Sequence, residues 1–560
     1  MFYFIKKHCF AIILAVVLGV LMILPFIYFQ IKLGSDFRGI FPQIVDDEMF
    51  YYARIKDVAD GHSFLSNAYL FEHKGGLPQQ LFLAEYILAQ PIKLFDLNIN
   101  TAHLIYNFLL PAIAFFLTYL ALYLISKSRF WSIIFSFFLF FGLYLMIFIR
   151  PVSPQFNFIF WLSEFIFLWL FLEKRSKKFL FLSALNFGLL FYIYPYYWTF
   201  YLIFFGILTA VYFWKNRGLA LKIAVIIASG LVLAIPYFYF NYLASRLPYY
   251  TETLTRIGMI YSHFPSGARI ILWSALGLLT FGWFLWRKVI KWDIKTIFFV
   301  SGILASIIAV NQHLITGKNF EFSSHYDMAA MFFLIFSFAY LWSNLKVGRK
   351  LLSVLLVFIV LIVTTGSLFE FSKKAFIINE QAVYRQNYAS VLEWLNKNTE
   401  KDSVVYANNA LSGLMPVYTA NNVFYHRNAN LFFIFDKEVL DRFILNNFFE
   451  DFNKNFIIEN DRSIFGVRFV DAYGHAVQGN KLWRLLGIEP EPEIYLPNFE
   501  IEKVMARAKT LQAGDFKKKL SRYRVDYLIL DKERDINWQI SNKDFQQIFK
   551  SNDAIIYKIK

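Results

Sequence analysis

Near its N-terminus the chain reads Lys6-Lys7-His8 and then CFAIILAVVLGVLMILPFIYF (Cys9–Phe29). An apolar run of about twenty residues makes a helix long enough to cross the ~30 Å hydrocarbon core of a bilayer. Basic-then-apolar also describes a signal peptide, but this run is long for one and no small-residue cleavage site follows it. It reads as a retained helix with its N-terminus in the cytoplasm.

The rest of the first two thirds repeats that pattern. Apolar runs lie near residues 80–95, 103–125, 131–149, 156–172, 179–195, 198–213, 219–240, 268–286, 296–312, 325–345 and 351–369. The clusters Lys174/Arg175/Lys177/Lys178, Lys215/Arg217, Arg287/Lys288/Lys291 and Lys346/Arg349/Lys350 mark cytoplasmic ends under the positive-inside rule. From Glu173 onward they alternate correctly and put everything after Phe369 outside. If every run crossed, the C-terminus would return to the cytoplasm, so one early run does not cross. The suspects are 80–95, which is short and holds Glu85 and Gln90, and 131–149, which ends at Arg150-Pro151. About eleven crossings are expected.

Composition agrees. Of 560 residues 58% are hydrophobic and only 17% charged, with 68 Phe and 34 Tyr, more than one globular core could hide. The net charge of +16 would suit nucleic acid, but residues 1–369 carry 29 basic against 15 acidic side chains, placed in short clusters between apolar runs. That is the signature of topology, not of a continuous basic face, so no nucleic-acid partner is expected. The lone Cys9 leaves no intrachain disulfide framework and no cysteine-based zinc site.

Residues 370–560 change character, with 27 basic and 25 acidic residues evenly spread. Tyr388 to Asn398 has the spacing of an amphipathic helix. Ser403–Ala407, Asn422–Tyr425, Val525–Leu530 and Ala554–Ile559 read as short buried strands. The expected architecture is a polytopic α-helical membrane domain over 1–369, with a first outer loop at 32–78, and an extracytoplasmic soluble α/β domain over 370–560.

Acids are scarce in the membrane half, yet seven of its fifteen lie between Lys32 and Pro78. The loop contains Val45-Asp-Asp-Glu-Met-Phe-Tyr-Tyr-Ala-Arg54, and Asp47 to Asp60 reads as a helix stopped by Gly61. One account has Asp46 cap this helix while Asp47 and Glu48 complement its dipole. The other has adjacent carboxylates at the membrane border bind a divalent cation, or perturb one another so that one serves as a base.

A first helix, a large outer loop with Asp-Asp-Glu-x-x-Tyr-Tyr-x-Arg, many spans and an outer soluble domain resemble the GT-C superfamily of membrane glycosyltransferases. That superfamily includes protein O-mannosyltransferases, aminoarabinose transferases and oligosaccharyltransferases. The resemblance implies a polyprenyl-phosphate-linked sugar as donor and a glycan, lipid or protein as acceptor. It also implies a catalytic or metal-binding acid in the first outer loop. Carried over, the base falls on Asp46 with Asp47 supporting, and Glu48 and Arg54 beside them. A second acidic motif found in several members is missing from Arg150-Pro-Val-Ser-Pro-Gln155. Metal-independent chemistry is therefore expected, with Mg or Mn on Asp46 and Asp47 the alternative.

A departing phosphate needs cationic or hydrogen-bonding partners. Arg150 qualifies by depth, as do His313, Lys318, His325 and Tyr326 of the loop after Asn311. His62, Glu72, His73 and Lys74 share the first loop, and Tyr192 to Trp198 forms an aromatic belt at the outer face. No P-loop, Gly-x-Gly-x-x-Gly, His-Glu-x-x-His or Gly-x-Ser-x-Gly motif occurs. The expected protein is thus an outer-face glycosyltransferase of a prokaryotic inner membrane. A glycan polymerase or ligase working through the loop Asn241 to Gly267, and a lipid or solute transporter or flippase, are the alternatives.

Overall fold

The computed structural model describes residues 2–79, 82–345, 349–490, 492–541 and 543–560. Lys346 of the last basic cluster and residues 80–81 of the second apolar run lie outside them.

The membrane half is a helical bundle. Its helices are α1 (Phe2–Leu33), α2 (Glu48–Ala59), α3 (Leu83–Phe95), α4 (Ile99–Ser126), α5 (Arg129–Phe137), α6 (Asn157–Lys174), α7 (Lys177–Ile193) and α8 (Pro195–Lys215). They continue with α9 (Arg217–Leu233), α10 (Ile235–Ser245), α11 (Tyr250–Arg256), α12 (Ala268–Trp286), α13 (Ile294–Val310), α14 (His313–Thr316), α15 (Asp327–Asn344) and α16 (Arg349–Ala375). Among the described residues seven are long and apolar enough to cross a membrane, or eight if α9 and α10, bent by 51°, are one span. Pro236 sits at that bend, where a missing N–H and a ring clash interrupt the helical ladder. The abundant phenylalanines pack helix on helix: Phe165 meets Phe336 at 4.7 Å and Phe158 meets Phe332 at 4.5 Å between ring centroids.

End contacts decide which early run stays on one side. The first loop is held by the C-terminal part of the chain. Gln386 accepts from the Arg38 N–H at 2.9 Å and donates to the Ile40 carbonyl at 2.7 Å, and the Val423 N–H donates to the Tyr69 carbonyl at 2.9 Å. Arg442 pairs with Glu72 at 2.9 Å. The start of α4 is on this same side: Asn100 donates to the Gly39 carbonyl at 2.6 Å, and His103 stacks on Tyr52. Its far end meets the start of α1, where Arg129 donates to the Lys7 carbonyl at 3.2 Å. So α3, lying between the loop and the start of α4, leaves and returns on the loop side. Its 13 residues reach only about 20 Å at 1.5 Å per residue, short of the hydrocarbon thickness. The run 131–149 instead begins beside Lys7, winds through a π-helical turn at Phe138–Leu143, and delivers Arg150 to the loop.

The C-terminal part begins with α17 (Glu380–Tyr384), α18 (Ala389–Asn398) and α19 (Asn409–Tyr418). After the paired strands β1 (Met259–Tyr261) and β2 (Lys318–Phe320) of the membrane half come β3 (Val404–Tyr406), β4 (Asn422–Val423), β5 (Tyr527–Asp531), β6 (Phe545–Lys550) and β7 (Ala554–Ile559). They form a five-stranded mixed sheet in the order β4-β3-β5-β7-β6. β3 runs parallel to both β4 and β5, while β7 is antiparallel to β5 and β6.

Candidate active site

The acidic triplet splits three ways. Helix α2 starts at Glu48, not at the capping position expected for Asp46. Asp47 is the residue before it, with φ 68° and no side-chain cap. Glu48, the first helical residue, turns back into the preceding loop and accepts from the N–H groups of Ile44 (3.1 Å) and Val45 (3.2 Å), so it ties the loop down and leaves the helix without a side-chain cap. Its carboxyl is buried, and desolvation, opposed by those two N–H groups, lifts it to about 8. The left-handed turn at Asp47 costs of order 1 kcal/mol or more for a residue with a Cβ. It leaves the Asp47 carboxylate half exposed and 3.3 Å from Arg150 Nη1. Asp46 stays exposed beside it.

Arg150 is fixed from behind, its Nε donating to the Ser153 carbonyl at 2.6 Å. Besides Asp47, its electrostatic partners are Tyr51, Tyr194 and Tyr197. The Tyr194 hydroxyl lies 2.5 Å from His325 Nδ1, and His325 stacks on Tyr196. Tyr326 meets the Thr199 hydroxyl at 2.7 Å. Arg150, His325 and Tyr326 therefore join one aromatic cluster. His313 does not: it is buried, with Nε2 on the Phe264 carbonyl at 2.7 Å, and Lys318 is exposed on β2. None of the five lines the cavity that holds the acidic pair; Arg150 reaches it only through its contact with Asp47, which does.

That cavity has a volume of about 710 Å³ and lies between the first loop and the C-terminal part. Asp46, Asp47, Gln43 and Phe50 form the loop wall. The opposite wall is built past the C-terminal ends of the three parallel strands. Asn408 follows β3, His426 and Arg427 follow β4, and Arg534 and Asp535 follow β5, with Arg385 beside them. Open α/β sheets bind ligands at this edge because the loops after parallel strands converge there. Sequence reading missed these residues, which are scattered over some 150 positions with no motif spacing. The one available signal was His426-Arg427-Asn428 directly after an expected strand.

The remaining loop residues clasp. Arg54, expected beside the acidic pair, pairs with buried Glu85 at 2.7 Å. His62 bridges Asp57 (3.0 Å) and Asp402 (3.2 Å), and the hydrogen bond it donates to Asp57 raises its pKa. His73 meets Glu438 at 3.0 Å, and Lys74 pairs with Asp57. In the loop Asn241 to Gly267, buried Arg256 pairs with Asp436 and donates to the Asn430 carbonyl at 2.8 Å.

A divalent cation of the hard kind takes about six oxygen ligands. Asp46 and Asp47 offer two carboxylates, one already facing a guanidinium, and no group of three His, Cys, Asp or Glu is gathered among the described residues. This donor set does not fit a divalent metal, and Arg150 supplies the positive charge beside the pair.

Fold and site together define an integral membrane protein whose charged cavity sits between a membrane-border loop and an α/β sheet. No family model and no curated protein matches the chain. Among solved structures it is similar to the Archaeoglobus fulgidus oligosaccharyltransferase tethered to an acceptor peptide with the NVT sequon. The match has a TM-score of 0.48 and 12% identity and covers 94% of this chain and 69% of that one. It is also similar to ArnT from Cupriavidus metallidurans bound to undecaprenyl phosphate, with a TM-score of 0.45 and 11% identity over 99% of this chain and 98% of that one. At these identities the likeness concerns the arrangement of the chain, and the chemistry is read from the site.

Proposed function

We propose that this protein is a glycosyltransferase that moves a sugar from a polyprenyl-phosphate donor to an acceptor at the outer membrane face, with Asp46 as base. The observation that carries this reading is the pair at the cavity wall: Asp46 exposed to the cavity, and Asp47 held 3.3 Å from Arg150. Asp46 takes the proton of the acceptor hydroxyl as its oxygen attacks the anomeric carbon. The bond from that carbon to the phosphate oxygen breaks, and its electron pair leaves with the polyprenyl phosphate. Arg150 offsets the leaving charge, backed by Tyr194 and His325. Asp47 keeps Arg150 in place. The leaving group is already activated, so the protein has mainly to position and neutralise.

The test incubates purified protein with a panel of polyprenyl-phosphate sugars and measures released polyprenyl phosphate, with and without chelator. Release that survives chelator and is lost in Asp46→Asn supports the reading. A fully active Asp46→Asn/Asp47→Asn double variant overturns it.

A further inference from the structure

Three arginines line the cavity wall opposite the acidic pair: Arg385 just after α17, Arg427 past β4 and Arg534 past β5. They are close enough to act on one another's surroundings. Arg534 opposes the charge on Arg385, and Arg385 and Arg427 both add to the burial that pushes His426 down to about 3. Among the described residues none of the three forms an ion pair; Arg534 stacks on the Tyr384 ring, 4.0 Å from its centre, and the Arg385 Nε is a buried donor with no partner.

The wall's own carboxylate, Asp535, lies near Arg534 but is engaged by other donors. Asp535 accepts from the Asp531 N–H at 2.8 Å and from Asn408, and burial lifts it to about 7. Glu450 is the other acid on that side, and Asp47 faces Arg150. Like charges gathered in a half-enclosed cavity are unfavourable by themselves and favourable once an anion sits among them. Arginine's planar fork suits phosphate and carboxylate alike.

We infer that this arginine wall is a binding subsite for an anionic acceptor, one whose sugar or headgroup carries a phosphate or carboxylate, held across the cavity from Asp46. The inference deepens the transferase reading and rests on it for the word acceptor. Donor phosphate belongs to Arg150, on the loop side, so the two anions are bound apart.

Binding to full-length protein in lipid nanodiscs tests this without turnover. The probes are methyl glucuronide, methyl glucoside 6-phosphate, uncharged methyl glucoside and undecaprenyl phosphate. One or both anionic glycosides are expected to bind at least tenfold more tightly than the neutral one. Arg427→Gln and Arg534→Gln, exposed positions that should fold normally, are each expected to weaken that binding about tenfold while undecaprenyl phosphate binding stays within twofold. Arg385→Gln should do the same where it folds. If anionic and neutral glycosides bind alike, or the arginine variants leave anion binding unchanged, the subsite is wrong while the transferase reading stands. If the variants weaken undecaprenyl phosphate instead, the wall is a donor site and the inference falls. Loss of turnover in Asp46→Asn is read separately and bears only on the transferase reading.

Discussion

Asp46 and Asp47 are neighbours in sequence with different surroundings. Both line the cavity, and Asp47 also faces Arg150 while Asp46 does not. A positioned general base contributes roughly 10²- to 10⁴-fold. Asp46→Asn is therefore expected to lower donor turnover at least a hundredfold with the melting curve unchanged, whereas Arg150→Gln should lower it while weakening donor binding. Initial rates at varied donor concentration separate the two. Glu48 gives a stability prediction. Its folded value of about 8 stands above the ordinary 4.5, so the folded protein holds a proton that the unfolded chain releases. Its stabilising contribution is full below pH 4.5 and is lost as pH rises through about 8. Glu48→Gln, neutral at every pH, should lose less of its melting temperature than the parent protein between about pH 6 and pH 9. Parallel curves would remove Glu48 as the source.

At the scale of elements, α3 is the test of topology. Both its ends lie on the loop side, because α4 starts beside Gly39 and ends beside Lys7. With Cys9 replaced by Ser, single substitutions Gly75→Cys and Asp96→Cys should both react with an impermeant thiol reagent from the same side of sealed vesicles, and Lys178→Cys from the other. Labelling of 75 and 96 from opposite sides would make α3 a crossing. Helix packing offers a second test. Gly302 on α13 sits where an added Cβ would overlap the ring of Phe333 on α15. Gly302→Leu should cost about 1–3 kcal/mol or more and lower the yield of folded protein in detergent. Most elements were legible in the chain. The strands expected at 403–407, 422–425, 525–530 and 554–559 appear as β3, β4, β5 and β7, and the helix at 388–398 as α18. β6 was not, because Phe545-Gln-Gln-Ile-Phe-Lys550 is an edge strand whose outward residues carry no apolar period.

For the molecule as a whole, the first loop and the C-terminal part act as one body. Buried Arg442 joins Glu72 of the loop (2.9 Å) to Glu438 (2.8 Å) and lies 4.1 Å from the centre of the Tyr523 ring. Removing one partner from such a pair leaves the other charge uncompensated, at a cost of about 3 kcal/mol when fully buried and less here, where the acids keep some solvent. Arg442→Met is expected to open the 60–80 segment to protease at temperatures the parent protein withstands, and to lower turnover with it. Unchanged proteolysis would separate the clasp from the cavity. Periodicity and charge in the chain were enough to establish a membrane bundle, a soluble α/β part and the acidic loop. Hydropathy is local, and a lipid-facing helix or a buried strand has to declare itself within a few turns. Which acid meets Arg150, which early run turns back and which arginines gather opposite Asp46 were decided only by tertiary structure. Those outcomes depend on a left-handed residue at 47, on contacts more than three hundred residues apart, and on the convergence of loops past three parallel strands. None of these leaves a periodic trace in the sequence.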